Sequence, residues 1–105
     1  MNFVLNYKGY EENLIVQRPV NMGVQYVFRF ENGYGASVVK GPWTYGGPQD
    51  LWELAVLRFT GDGDEYDLCY DTEITSDVIG YRENEEILEL LLQIKGLKSP
   101  SEHET

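Results

Sequence analysis

The chain carries one cysteine, Cys69, and one histidine, His103, in 105 residues. A single thiol forms no internal disulfide, which fits a reducing compartment. Nucleophilic catalysis of the Ser-His-Asp or Cys-His kind needs an imidazole held at hydrogen-bond distance from its nucleophile. His103 stands in the polar end of the sequence, and Cys69 falls in a strand-like alternation where a small, half-buried thiol is expected. No catalytic residue is therefore assigned. Cations are also scarce, with 8 Lys and Arg scattered along the chain against 18 Asp and Glu. That excludes the basic groove which binding to nucleic acid requires, and adsorption to an anionic membrane with it. No apolar run approaches the roughly twenty residues that cross a bilayer. The opening Met1-Asn2-Phe3-Val4-Leu5 lacks the basic start and long apolar stretch of a secretory signal. The expected location is the cytoplasm.

What is abundant is acid, and it is concentrated. Between residues 61 and 90 stand Asp62, Asp64, Glu65, Asp67, Asp71, Glu73, Asp77, Glu83, Glu85, Glu86 and Glu89, opposed only by Arg82. The segments before and after balance, so these thirty residues hold the entire formal charge of −10. The hydrophobic share of 42% is that of a folded domain and not of a disordered acidic tail. The expected organisation is one domain over residues 1–98 and a flexible polar tail over 99–105.

Residues 23–31 alternate, with Val24, Tyr26, Phe28 and Phe30 on one face and Gln25, Arg29 and Glu31 on the other, alongside Val27. A period of two in aromatic and β-branched residues predicts a half-buried strand. Asn32-Gly33 then predicts a tight two-residue turn with both residues at positive φ, and residues 34–40 the return strand. Residues 41–50 form a loop dense in Gly and Pro that holds Trp43 and Tyr45. Residues 51–60 are apolar on both faces apart from Glu53 and Arg58, which predicts a central strand. Residues 65–70 alternate again after a Gly-Asp turn, and residues 14–18 predict an edge strand ended by Pro19.

The last element is a helix. Glu83, Glu85, Glu86 and Glu89 occupy its first turns, and Lys95 and Gly96 its end, matching the helix dipole and a left-handed glycine stop. Ile87, Leu90, Leu91 and Ile94 form an apolar stripe that Leu88 and Leu92 widen. The fold class is thus α+β: an antiparallel four- to five-stranded meander sheet with one C-terminal helix packed on one face.

The run Asn32-Gly33-Tyr34-Gly35-Ala36-Ser37-Val38-Val39, the Tyr45-Gly46-Gly47 loop and Leu51-Trp52-Glu53-Leu54-Ala55-Val56-Leu57 resemble motifs of short uncharacterised proteins of tailed bacteriophages and prophages. Tyr70-Asp71-Thr72 and the stretch ending in Gly80-Tyr81 match the later part of that pattern, so the likeness covers roughly residues 24–97. The resemblance implies a viral gene expressed in a bacterial cytoplasm. It transfers no activity.

Two chemistries remain to be weighed from the residues. Asp62, Asp64 and Asp67 give hard oxygen ligands on a turn, and Glu73 follows Asp62 at the spacing of the first and last ligands of an EF-hand. Asp67, however, stands where that loop needs glycine, and no helices flank it, so a solvated turn is expected and no metal or other cofactor. Paired carboxylates are numerous enough for acid–base hydrolysis, but nothing in the pattern selects two. Trp43 and Tyr45 leave two readings open, a partner anchor or a lid on one end of the core.

The expectation is a small acidic, non-catalytic accessory protein that binds a host or phage protein with a basic surface. Its contact residues would be Asp62, Asp64, Glu65, Asp67, Asp71, Glu73, Glu83, Glu85, Glu86 and Glu89, converging into a surface that imitates nucleic-acid phosphates and inhibits the partner, with Trp43 and Tyr45 as anchors. The alternatives are a virion or assembly component that self-associates through an apolar patch and a strand edge, and an enzyme dependent on carboxylates or a metal.

Overall fold

A computed structural model describes residues 1–61, 63–70, 72–74 and 77–98. Asp62, Asp71 and the tail from 99 to 105, with His103, lie outside the described residues. Six strands, β1 (Leu14–Val20), β2 (Gly23–Arg29), β3 (Tyr34–Lys40), β4 (Trp52–Phe59), β5 (Tyr66–Leu68) and β6 (Ile79–Arg82), precede helix α1 (Asn84–Lys95). All pairings are antiparallel, in the order β1-β2-β3-β4-β5. Strand β6 shares the outer edge of β4 with β5: Tyr66–Leu68 pairs with the end of β4 and Ile79–Arg82 with its beginning. The α+β meander with one C-terminal helix is therefore the fold, extended by a short sixth strand. Periodicity does not reveal that strand, because it spans four residues and is interrupted by a bulge at Gly80 and Tyr81.

The alternation in β2, β3 and β4 dictates the core. Tyr26, Phe28, Ala36, Val38, Trp52, Leu54 and Val56 point to one face, where Ile87, Leu91 and Ile94 of α1 close over them. Burying each of those three helix side chains contributes roughly 1.5–3 kcal/mol. Leu92, expected to widen the stripe, instead faces solvent at 63% exposure. The N-terminal residues Leu5 and Tyr10 complete this cluster, and the Tyr26 hydroxyl ties the segment down by donating to the Phe3 carbonyl at 3.0 Å. On the opposite face Val27, Leu57 and Phe59 form a smaller cluster with Ile15, Val16 and Tyr66. Gly35 lies beneath the Phe59 ring, where an added Cβ would come within 2.6 Å of it.

Three local expectations are corrected. The β2–β3 connection is not a two-residue turn with both residues at positive φ. Only Gly33 is left-handed, at φ 89°, and Phe30 donates to the Tyr34 carbonyl at 2.8 Å across a three-residue loop. The two-residue turn of that kind lies one hairpin earlier, at Asn21 (φ 47°) and Met22 (φ 66°). Gly96, at φ −86°, is not a left-handed stop; its N–H donates to the Leu92 carbonyl, and the Asn32 side chain takes up the carbonyls of Ile94 and Lys95. Finally, Pro19 does not end β1 but sits within it opposite Val24, tolerated because an edge strand leaves one side without a ladder partner.

Candidate functional site

Every described carboxylate of the acidic segment is exposed: Asp64, Glu65, Asp67, Glu73, Asp77, Glu83, Glu85, Glu86 and Glu89. They do not gather around one point. Asp67 pairs with Arg58 near one end of β4, whereas Arg82, next to Glu83, pairs with Trp52 at the other. Six residues along a strand separate the two positions, or about 20 Å. Asp67 on β5 and Glu83 after β6 thus lie towards the two ends of the outer edge of β4, and Glu85, Glu86 and Glu89 follow on α1.

Local roles already engage some of them. Glu83 is the N-cap residue of α1, and its N–H donates to Glu86 Oε1 at 3.0 Å. Glu86 Oε2 also lies 3.9 Å from Arg82 Nε. Glu85 and Glu89 have no such partner among the described residues. The Gly-Asp turn is held from the body of the sheet by Arg29, whose guanidinium donates to the Gly61 carbonyl at 2.7 Å and to that of Gly63, while lying 4.8 Å from the Phe59 ring centre. Carbonyl oxygens of the kind a calcium ion uses thus face a cation of the chain itself. Among the described residues, no three His, Cys, Asp or Glu side chains come together as a metal site. Cys69 is buried in the main core, its N–H donating to the Val56 carbonyl at 2.8 Å.

Trp43 and Tyr45 do not lid the core. They stand 79% and 62% exposed. The loop that carries them is nonetheless braced. Thr44 Oγ1 accepts from Gly41 N–H and donates to the Gly41 carbonyl, both at 3.0 Å. Tyr45 N–H donates to Glu53 Oε1 at 2.8 Å, and the Tyr45 carbonyl accepts from Tyr81 N–H at 3.1 Å. Gly80 lets this approach happen, since a Cβ there would lie 2.5 Å from Tyr45 Cβ. The bulge leaves Tyr81 left-handed, at φ 56°, and 55% exposed. Met22, left-handed in its turn, is 81% exposed. Sequence reasoning missed both residues, because a positive φ on a large side chain has no signature in hydrophobic periodicity.

Beside Trp43 a groove of about 220 Å³ opens between the β1–β2 turn and the β3–β4 loop, lined by Val20, Val24, Val39, Trp43, Thr44 and Glu53. Lys40 borders it but is only 3% exposed, with Nζ 2.9 Å from Asp50 Oδ1 and 4.3 Å from the Trp52 ring centre. Asp50 Oδ1 also accepts from Asn2 N–H at 2.6 Å. That hydrogen bond and the Lys40 ammonium hold the Asp50 carboxyl below its ordinary pKa. A larger hollow of about 770 Å³ lies at the far end of the sheet, lined by Glu11, Glu12, Asn13, Glu31, Asn32 and Lys95.

Among the described residues, no helix is long and apolar enough to cross a membrane. No family model, curated protein or solved structure matches the chain.

Proposed function

We propose that this chain is a non-catalytic accessory protein that binds a basic surface on a protein partner through the carboxylates along the outer edge of β4 and the start of α1. One observation carries the reading: the nine described carboxylates of residues 64–89 are all exposed, and Arg82 is the one Lys or Arg in that stretch of the sequence. An excess of exposed charge of one sign steers and orients an oppositely charged partner. A partner that normally holds nucleic acid would meet here a line of negative groups and be blocked. The resemblance to phage proteins supports a partner in a bacterial host and action in its cytoplasm.

The assembly alternative has less support. Strand β1 carries Pro19 and a bulge at Ile15, and the opposite edge is split between two short strands flanked by acid, all of which oppose the addition of another strand. A monomer in sedimentation agrees with this, and a closed oligomer reverses it.

The test is capture of a partner from bacterial lysate on the immobilised protein at low and at high salt, since the screening length falls from about 10 Å at 0.1 M to about 3 Å at 1 M. Expected is a basic protein retained at low salt, lost at high salt, and lost with Glu85→Lys/Glu89→Lys. Glu83 and Glu86 are left intact because they cap the helix. Retention that ignores both salt and charge reversal overturns the reading.

A further inference from the structure

The groove beside Trp43 combines features that nothing in the fold itself uses. Val20 and Val39 give it apolar lining, and Trp43, which also lines it, is left 79% exposed on a loop braced by the hydrogen bonds of Thr44 and Tyr45. Its acidic group is the Glu53 carboxylate, beside the polar Asn21 and Thr44. Glu53 Oε1 accepts from Tyr45 N–H, and Oε2 has no partner among the described residues. The neighbouring Lys40 does not set the sign of the groove, because its ammonium is paired with Asp50 and stacked on Trp52. What the groove offers is therefore an exposed aromatic ring and a carboxylate oxygen lining the same hollow. Exposed Tyr45, which donates to Glu53, is joined through its backbone to exposed Tyr81.

We propose that this groove binds an arginine side chain of the protein partner, its guanidinium stacked on Trp43 and donating to Glu53 Oε2. A planar guanidinium presents a flat face to an indole while its edge donates to a carboxylate, and its methylene stem covers apolar lining. An ammonium is a compact, strongly hydrated charge that does not stack in this way, so lysine fits less well. The proposal rests on the preceding reading that the partner is basic, and it assigns the specific contact to residues outside the acidic row, which supplies attraction at longer range.

The test is a titration of the isotopically labelled full chain with hexa-arginine and with hexa-lysine, followed by amide and indole resonances. Expected are shifts at the Trp43 indole and at the amides of Val39, Thr44, Tyr45 and Tyr81, stronger with hexa-arginine. Trp43→Ala and Glu53→Gln should each weaken hexa-arginine binding by about tenfold. Trp43 is exposed, and glutamine keeps the acceptor for Tyr45 N–H, so both variants are expected to fold. Shifts confined to residues 64–67 and 83–89, unchanged by Trp43→Ala, overturn this proposal and leave the basic-partner reading standing. Equal response of the groove to both peptides overturns the arginine assignment, and no response anywhere at low salt overturns both readings.

Discussion

Asn32, in the loop between β2 and β3, closes the last turn of α1: its Nδ2 donates to the Ile94 carbonyl at 2.9 Å, with Lys95 and Leu97 carbonyls at 3.2 and 2.9 Å. Its Oδ1 meanwhile accepts from Tyr34 N–H at 3.0 Å. One amide therefore fixes the hairpin and satisfies helix-end acceptors that have no partner within the helix. It also ties the β2–β3 hairpin to α1.

Replacing it by aspartate should cost more than replacing it by alanine. Asn32→Asp keeps the acceptor for Tyr34 but turns a carboxylate towards three carbonyls at the negative end of a helix. The expected loss is about 1–3 kcal/mol, seen as a lower urea midpoint with an unchanged slope. A variant as stable as the parent would show that the bond network is replaced by water at no cost.

Met22 occupies a left-handed position that a glycine adopts without strain, and its side chain is exposed. Met22→Gly should raise stability by about 1 kcal/mol, since the relief of strain outweighs the greater freedom glycine has in the unfolded chain. Thermal unfolding measures it. A fall in midpoint would mean that the Met22 side chain contributes packing that its exposure conceals.

Asp50 gives a dependence on pH. Its folded-state pKa is depressed, chiefly by the Asn2 N–H and then by Lys40, so its contribution is complete above the ordinary carboxylate value of about 4. As pH falls through the depressed folded value, that contribution is lost. Asp50→Asn should lower stability at neutral pH, and its unfolding midpoint should fall less than the parent's between pH 4 and strong acid. Parallel curves would assign the acid sensitivity to other carboxylates. Lys40→Met should be milder than Asp50→Asn, because it keeps the stem against Trp52 and leaves no buried ammonium without its partner.

Cys69 supplies a probe of the core. Buried beneath α1 and beside β4, its thiol should react with a bulky thiol reagent only as fast as the protein opens, and rapidly in denaturant. Rapid labelling of the native protein would place this edge of the sheet in frequent local opening.

How much of this was legible beforehand depended on the range of the interaction involved. The alternation of Val24, Tyr26, Phe28 and Phe30, the two-sided apolar run of β4 and the stripe of Ile87, Leu91 and Ile94 were sufficient for the meander and its helix, because burial selects a face from period alone. The acidic concentration was plain from composition, and its separation over the two ends of β4 was not, since that follows from β5 and β6 sharing one strand's edge. Asn32-Gly33 carried the sequence signature of a two-residue turn, yet the Asn32 amide is drawn to a helix end sixty residues away, and the turn takes another form.

By itself the sequence determined which residues face inward, where the charge lies along the chain, and that Trp43 and Tyr45 share a loop rich in glycine. Only the tertiary structure decided that this loop is pinned to Glu53 and to the bulge at Tyr81, that Trp43 stands outward beside a groove, and that a paired Lys40 leaves the Glu53 carboxylate to set its sign. The physical reason is one of distance: local periodicity reports the environment of a side chain averaged over its own element, whereas a binding surface is made where separate elements meet, through single hydrogen bonds and close backbone approaches that leave no periodic trace.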